Sequence, residues 1–329
     1  MIRCPSMVTA ALLILIGAGV ASGQTTQASA AGFHLVQRPG AVNLAAEYDL
    51  SDLRIPRDEI HTLLPRDAIP ALTNPLTEPV SSATWLSGDA RLVVARVGGD
   101  VLGVPLPVLN WHEIVNVEVG GEPVAVAYCP LCDSASIFSR RVGSGGSEAV
   151  LEFGVSGALY NSNVLMYDRK ERALWSQLGM TAVSGPRSGE SLRMMPVVVL
   201  TLREFKAAYP SAPVVSRQTG HRRDYTASPY EQYFKGQELI VPVARMGTAL
   251  EPKTPGVGIA VEVDARLRTW FVALDAIGEA RTIHTPSGEI LLRRGPAGVN
   301  VERAPEGVRT VQTFYYAWSA FYPGSEVIE

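Results

Sequence analysis

The feature that most constrains the fold of this 329-residue chain is a succession of short segments rich in β-branched and aromatic residues. Each segment is bounded by Gly or Pro, a pattern typical of brief β-strands joined by tight turns. The segments are RLVVARV, VNVEV, PVAVAY, SIF, AVLEFGV and NVLMY. A Pro-rich approach from about Arg57 precedes them and predicts turns and short helices. We therefore expect a β-rich α+β fold with short helices between the strands.

Two stretches can be laid side by side without a gap, which predicts an internal duplication. ARVGGDVLGVPLPVLNWHE begins at Ala95 and VEVDARLRTWFVALDAIGE begins at Val261, and each predicts a strand, a turn, a second strand and a helix-like run. Further along, SIFSRR is paired with EILLRR. FKAAYPSAPVV from Phe205 matches WSAFYPGSEVI from Trp318, with the Tyr-Pro pairs in register. We expect two related small β-sheet halves, the second degenerate.

These patterns divide the chain into five segments. The predicted segments are a signal peptide (1–23), an N-terminal arm (24–57), a first half with the Cys-x-x-Cys motif (58–216), a connector (217–256) and a degenerate second half (257–329). The signal peptide is indicated by Arg3, an apolar run of VTAALLILIGAGV too short to span a bilayer with confidence, and small residues after it. An uncleaved N-terminal anchor is the alternative. We expect an exported protein, periplasmic or secreted, with no transmembrane segment in the mature chain.

Composition places the chain among globular proteins, because 47% of its residues are hydrophobic and 19% are charged. The formal net charge is -3, and no basic run of the kind that nucleic-acid binding needs occurs in the sequence. Nucleic-acid binding is therefore excluded. The sequence identifies no other partner.

The strongest candidate site residues lie in the run AYCPLCDS, where Cys129 and Cys132 have the spacing Cys-x-x-Cys. Cleavage of the leader removes Cys4 and leaves these as the only thiols. Two sulfurs at this spacing can share a metal ion or form a small-ring disulfide. Closing so small a ring gives a stabilisation of roughly 2 kcal/mol, so a structural disulfide is the least favoured use. The residues that follow predict strand, turn, strand, which suits a metal knuckle better than the helix of thioredoxin-like proteins.

A knuckle supplies two ligands, whereas a closed zinc site has four and an open one three. His112 in NWHEIVN is the best third ligand, because an apparent hairpin of VNVEV and PVAVAY returns the chain from it to Cys129. His221, in the connector, is a weaker candidate. In the repeat His112 is paired with Gly278, and YCPLCDS with IHTPSGE. The second copy has therefore lost the candidate ligands as a group.

Several segments, in their order along the chain, resemble those of a known protein family. They are NWHEIVN, AYCPLCDSASIF, FGVSGALYNSNVLMYDR, LWSQ, GPRSG and TGHRRDYTASPYEQYF. Over about residues 66 to 329 the chain closely resembles the bacterial family called Domain of Unknown Function 3179. The resemblance implies an exported, often signal-bearing protein and brings no established activity. Asp133 stands where a glycine usually follows the second cysteine, which weakens the analogy with zinc knuckles of the CPxCG kind.

Three uses of the cysteine pair stay open. The leading hypothesis is binding of a soft or borderline metal ion, copper or zinc, by Cys129, Cys132 and His112, with His221 as a further ligand. The second is a thiol-disulfide oxidoreductase in which Cys129 attacks and Cys132 resolves. The third is a non-catalytic interaction module with an inert disulfide. The sequence alone does not decide whether the protein is an enzyme.

Overall fold

A computed structural model describes residues 43–329 apart from 145 and 265, so the predicted signal peptide and much of the arm lie outside the described residues. The helices are α1 Leu44–Glu47, α2 Leu106–His112, α3 Leu202–Ala208, α4 Glu231–Lys235 and α5 Tyr315–Phe321. None of these helices is long and apolar enough to cross a membrane. The predicted β-rich α+β fold with short helices is confirmed.

The strands are short, as the Gly and Pro residues between the apolar segments predict. They are β1 Ile60–Thr62, β2 Leu72–Thr73, β3 Thr77–Pro79, β4 Arg91–Val97, β5 Asp100–Pro105, β6 Ile114–Val119, β7 Glu122–Cys129, β8 Ser134–Ser139, β9 Arg141–Val142, β10 Ala149–Val150, β11 Phe153–Tyr160, β12 Asn163–Asp168, β13 Leu174–Ser176, β14 Thr181–Ala182, β15 Met194–Met195, β16 Val198–Thr201, β17 Pro213–Val215, β18 Pro255–Val263, β19 Arg266–Ala273, β20 Ala280–Thr285, β21 Gly288–Gly295, β22 Gly298–Arg303, β23 Arg309–Phe314 and β24 Glu326–Ile328.

One four-stranded arrangement occurs twice in the chain. Its strand order is β16-β4-β5-β17 in the first half and β23-β18-β19-β24 in the second. In each copy the first three strands are antiparallel and the fourth pairs parallel with the third. Helix α3 leads from β16 towards β17, and α5 leads from β23 towards β24 in the same way. The predicted duplication therefore exists as two related sheets, while the domain limits stay a prediction.

A three-stranded meander follows the first hairpin of each copy, β6-β7-β8 in the first and β20-β21-β22 in the second. The gapless pairing of Ala95 with Val261 continues through it, so that β6 corresponds to β20 and β7 to β21 over their full lengths. The predicted pairing of SIFSRR with EILLRR is therefore wrong, because EILLRR lies on β21, the equivalent of β7. Strands that alternate with a period of two resemble one another in several registers, which explains the error. The true counterpart of the turn CPLC is GPAG, residues 295–298, and not IHTPSGE.

The two halves interlock. Strand β8 of the first meander pairs with β23 of the second sheet, through Ala135 and Gln312. In the opposite sense, Asn300 of β22 accepts a hydrogen bond from the backbone N–H of Val199 on β16, at 3.2 Å. Each meander thus lies beside the sheet of the other half, and the cysteine turn sits between β7 and β8 at this junction.

The first half carries an insertion, residues 140–197, that the second half lacks. Strands β11 to β14 form a sheet within it, and β1 adds to the edge of that sheet. Where β11 turns into β12, Asn161 and Ser162 both have positive φ, 48° and 61°. Non-glycine residues rarely adopt this conformation, so the turn has to be held by its surroundings. It lies directly against the cysteine turn.

Candidate functional site

The cysteine turn is a short connection between two paired strands. Strand β7 ends at Cys129, a 3₁₀ turn covers Pro130–Cys132, and Cys129 pairs with Ser134 at the start of β8. The hairpin predicted between His112 and this motif is formed by β6 and β7. The predicted strand-turn-strand setting of the motif is therefore confirmed.

Asp133 closes this turn in the left-handed region, with φ of 46°. Glycine is the residue that this conformation favours, and glycine is the residue that follows the second cysteine in zinc knuckles of the CPxCG kind. Here the carboxylate of Asp133 accepts two hydrogen bonds from Arg91, at 2.9 and 2.6 Å, and one from the hydroxyl of Tyr128 at 2.7 Å. These three bonds fix the turn to β4 and β7.

Both thiols are free and buried, Cys129 at 2% exposure and Cys132 at 0%. Each points to the backbone oxygen of Ser162, which lies 3.2 Å from Cys132 Sγ and 3.9 Å from Cys129 Sγ. Burial raises the pKa of the Cys129 thiol, and the neighbouring Cys132 raises it further. The two sulfurs therefore share one backbone acceptor.

Two tyrosines hold the middle of the turn. The carbonyl oxygen of Leu131 accepts a hydrogen bond from Tyr316 at 2.8 Å and one from Tyr233 at 2.9 Å. The ammonium of Lys253 lies 3.5 Å from the centre of the Tyr233 ring and donates to the backbone oxygens of Tyr233 and Gly236. Because Tyr316 comes from α5 and Tyr233 from α4, the connector and the second half both fasten the turn.

A cavity of about 30 Å³ lies beside Cys129. The polar groups of its described lining are Cys129, the carboxyl of Glu113 and the hydroxyl of Tyr230. Apolar side chains and one glycine make up the rest, namely Leu63, Leu64, Ile69, Leu131, Val155, Gly157, Ala158, Leu159 and Val164. Cys132 is not part of the lining. Cys129 is thus the thiol that a molecule in this cavity would meet.

Glu113 is a buried carboxyl, 7% exposed, whose side chain accepts one hydrogen bond from Tyr230 at 3.3 Å. Burial raises its pKa well above the usual value, and the nearby Cys129 raises it further. Its φ is 55°, so it ends α2 in a conformation that is uncommon for a residue with a side chain. A strained, buried acid with a raised pKa in a cavity beside a thiol marks a candidate reactive site.

His112 lies next to Glu113 in the sequence but takes part in other contacts. The oxygen of Pro70 lies 2.7 Å from Nδ1 and can only accept, so Nδ1 carries the proton. Nε2 then accepts from the hydroxyl of Tyr225, also at 2.7 Å. The ring of His221 lies 5.2 Å away, centre to centre. Burial, together with the charges of His221 and Arg223, lowers the pKa of His112 to about 4.

The four predicted metal ligands form two separate pairs, Cys129 with Cys132 and His112 with His221. Within residues 43–329 apart from 145 and 265, no group of three or more His, Cys, Asp or Glu side chains is arranged to hold a metal ion. Both ring nitrogens of His112 are already bonded. A zinc site, which needs at least three protein ligands, is therefore not assembled in the described part of the chain.

Sequence reasoning missed Glu113, Tyr230, Tyr316 and Ser162. The signal for Glu113 was present, because a carboxylate directly precedes the apolar residues that open a predicted strand in NWHEIVN. Such a residue is rarely buried without a role. The neighbouring His112 was predicted as the third ligand instead. Ser162 and the tyrosines carry no local signal, since only the folded chain brings them to the turn.

Comparison with known proteins gives one finding. The family model described as "Protein of unknown function (DUF3179)" matches residues 66–290. The matched range includes Glu113, both cysteines and Ser162, whereas Tyr316 lies beyond it. No curated protein and no solved structure matches the chain.

Proposed function

This chain belongs to the DUF3179 family of proteins of unknown function, and since the family brings no activity with it, we propose that Cys129 and Cys132 are a redox-active dithiol. Oxidation joins the two sulfurs in one disulfide and passes two electrons to an oxidant, with release of two protons. The observation that carries the proposal is the carboxyl of Glu113 in the same small cavity as Cys129.

A thiol has to lose its proton before it attacks, because the thiolate is the nucleophile. Burial opposes this loss at Cys129, as the raised pKa of the thiol indicates. Glu113 offers an acceptor within the same cavity, and burial raises the pKa of this acid above its usual value. A general base acts best when its pKa lies near the working pH, and a raised carboxyl pKa moves towards neutrality. Cys129 is thus the attacking sulfur, and Cys132, outside the cavity lining, is the resolving one.

The proposal is tested by redox titration of the full chain with Cys4→Ser, which removes the thiol of the leader. The protein is equilibrated for hours with mixtures of reduced and oxidised dithiothreitol, then quenched with acid, alkylated and weighed by mass spectrometry. We expect both thiols to disappear together in one two-electron transition. Neither Cys129→Ser nor Cys132→Ser forms the intramolecular disulfide.

The role of Glu113 is tested by the rate of the same oxidation. Removal of a general base typically slows a reaction by 10² to 10⁴, so we expect Glu113→Gln to slow disulfide formation at pH 7 roughly a hundredfold. Circular dichroism verifies that the variant folds. The proposal fails if the folded wild type keeps both thiols at every dithiothreitol ratio while the same chain in urea becomes oxidised.

A second candidate is binding of Cu(I) by the same two sulfurs. It is favoured by the convergence of both Sγ atoms on the oxygen of Ser162, because thiolates are the soft ligands that select Cu(I). The test adds Cu(I) without oxygen, in competition with a chromophoric chelator. We expect one ion per chain in the wild type and none in Cys129→Ser; equal uptake by both would reject this candidate.

A further inference from the structure

Access to Cys129 is limited to one side of its cavity. Most of the lining is buried, and the half-buried members are Leu63, Leu64 and Gly157, so these mark the side nearest to solvent. An attacking sulfur has to come within bonding distance of its target, roughly 2 Å for a disulfide. Any molecule that reacts with Cys129 in the folded protein has to enter between Leu63, Leu64 and Gly157, which together form the gap.

The gap is held narrow by backbone contacts. The N–H groups of Leu63 and Leu64 both donate to the oxygen of Gly157, at 2.9 and 3.2 Å. Gly157 has φ of 75°, and a Cβ at this position would lie 2.1 Å from the backbone oxygen of Leu64. Only glycine permits so close an approach. The segment Leu63 to Pro65 is therefore seated directly on the insertion.

The cavity beside Cys129 is small, with a volume of about 30 Å³. Peptide disulfides are many times larger. No residue of the described lining is Lys or Arg, so an anion such as glutathione disulfide finds no opposite charge, and Glu113 would repel it when ionised.

From this size and polarity we infer that the oxidant of the site is hydrogen peroxide or a hydroperoxide of similar size, and not a protein or peptide disulfide. The inference rests on the proposed redox role of Cys129 and names the oxidant for it. Hydrogen peroxide consists of two oxygen atoms, is uncharged and is able both to donate and to accept hydrogen bonds. Glu113 and Tyr230 provide partners for both.

The reaction balances in two steps. Cys129 Sγ attacks one oxygen of hydrogen peroxide, the O–O bond breaks, and the second oxygen leaves as water. Glu113 carries the thiol proton to that leaving oxygen, and Cys129 becomes a sulfenic acid. Cys132 Sγ then attacks Cys129 Sγ, the S–O bond breaks, and a second water leaves. The sum is one peroxide reduced to two waters and two thiols oxidised to one disulfide.

The test is single-turnover oxidation of the reduced full chain with Cys4→Ser by three oxidants of increasing size. Hydrogen peroxide, cumene hydroperoxide and glutathione disulfide are each mixed with the protein, and remaining thiols are measured over time. We expect hydrogen peroxide to react fastest, and the larger oxidants roughly a hundredfold more slowly, because they need a local opening of the chain. With Cys132→Ser the reaction stops at a sulfenic acid on Cys129, which dimedone traps.

A widened gap gives the matched variant. Leu64→Ala removes a half-buried side chain from the solvent side of the cavity, so the rate with cumene hydroperoxide rises several-fold relative to the rate with hydrogen peroxide. If glutathione disulfide reacts as fast as hydrogen peroxide, the dithiol is redox-active but the inferred oxidant is wrong. If no oxidant reacts with the folded protein, even over hours, the proposed redox function fails as well.

Discussion

The same turn is built twice in this protein, once around two cysteines and once around two glycines. CPLC joins β7 to β8, and GPAG, residues 295–298, joins β21 to β22 with its proline at the matching place. The backbone before both turns is held alike, since Glu113 O accepts from Tyr128 N at 2.8 Å and Glu279 O accepts from Arg294 N at 3.0 Å. The duplicated architecture therefore does not need cysteines at this turn.

The two turns differ in how deeply they are buried. All four residues of CPLC are buried, whereas Pro296 of the second turn is exposed and Gly295 and Gly298 are half-buried. The insertion and the connector lie over the first turn, and only residues 304–308 join β22 to β23 in the second. The carboxyl of Glu113 is enclosed with Cys129, while Glu279 is exposed. The glutamate is present in both copies but is enclosed only where the thiols are, which supports a reactive pair over a structural one.

The largest expected effect comes from Leu131→Ala, which makes the first turn resemble the second, where Ala297 occupies this place. Leu131 is 5% exposed, and its loss leaves a cavity under the insertion. We expect the free energy of unfolding to fall by about 3 kcal/mol in urea titrations. Leu267→Ala, at an exposed position on β19, is the control and changes stability by less than about 0.5 kcal/mol. Equal losses of stability in both variants would mean that burial under the insertion and the connector does not stabilise the first turn.

His112, whose counterpart is Gly278, gives a pH-dependent difference. Its folded pKa is about 4, below the usual 6.5, because of burial. The unfolded chain therefore binds the proton more readily between these pH values, and stability falls as pH decreases through this window. The shift corresponds to about 3 kcal/mol at most. We expect His112→Gln to lose less stability than the wild type between pH 7 and pH 4, as measured by urea unfolding; parallel curves would contradict this.

A smaller effect is expected at Asp133, the residue that closes the first turn. Asp133→Ala leaves Arg91 without its carboxylate and keeps a side chain at positive φ. For this partly buried pair we expect a loss of about 2 kcal/mol. Asp133→Gly loses the same bonds but relieves the backbone, so its loss is about 1 kcal/mol smaller. Thermal unfolding of both variants side by side measures the difference, and an Ala variant as stable as the Gly variant would rule out backbone strain at this turn.

The elements of the fold were predictable because strand and turn signals are local. The hairpin before Cys129 and the order of the duplicated segments follow from apolar runs and Gly or Pro between them. The register of the later repeat was predictable as well, because the gapless pairing of Ala95 with Val261 continues to Cys129 and Gly295; the pairing of SIFSRR with EILLRR departed from it. Only the part of the site within one local motif could be predicted. The spacing indicates Cys129 and Cys132, whereas Ser162 and Tyr230 belong to segments that are distant in the sequence. His112 was chosen over Glu113 because a sequence shows which side chains are neighbours along the chain, and not which of two buried side chains lines the cavity beside Cys129.

The smallest expected effect is that of Glu279→Gln. This variant tests whether a carboxylate at this position of the repeat affects the oxidation rate only when it is enclosed beside a thiol. Glu279→Gln changes the same residue type, at the matching position, with the same backbone bond. Because this side chain is exposed and its turn holds no thiol, we expect stability within about 0.5 kcal/mol of the wild type and an unchanged rate of oxidation by hydrogen peroxide. Glu113→Gln, measured in the same experiment, slows that oxidation roughly a hundredfold. If both variants slow it equally, the effect comes from the charge of the whole protein and not from the cavity beside Cys129.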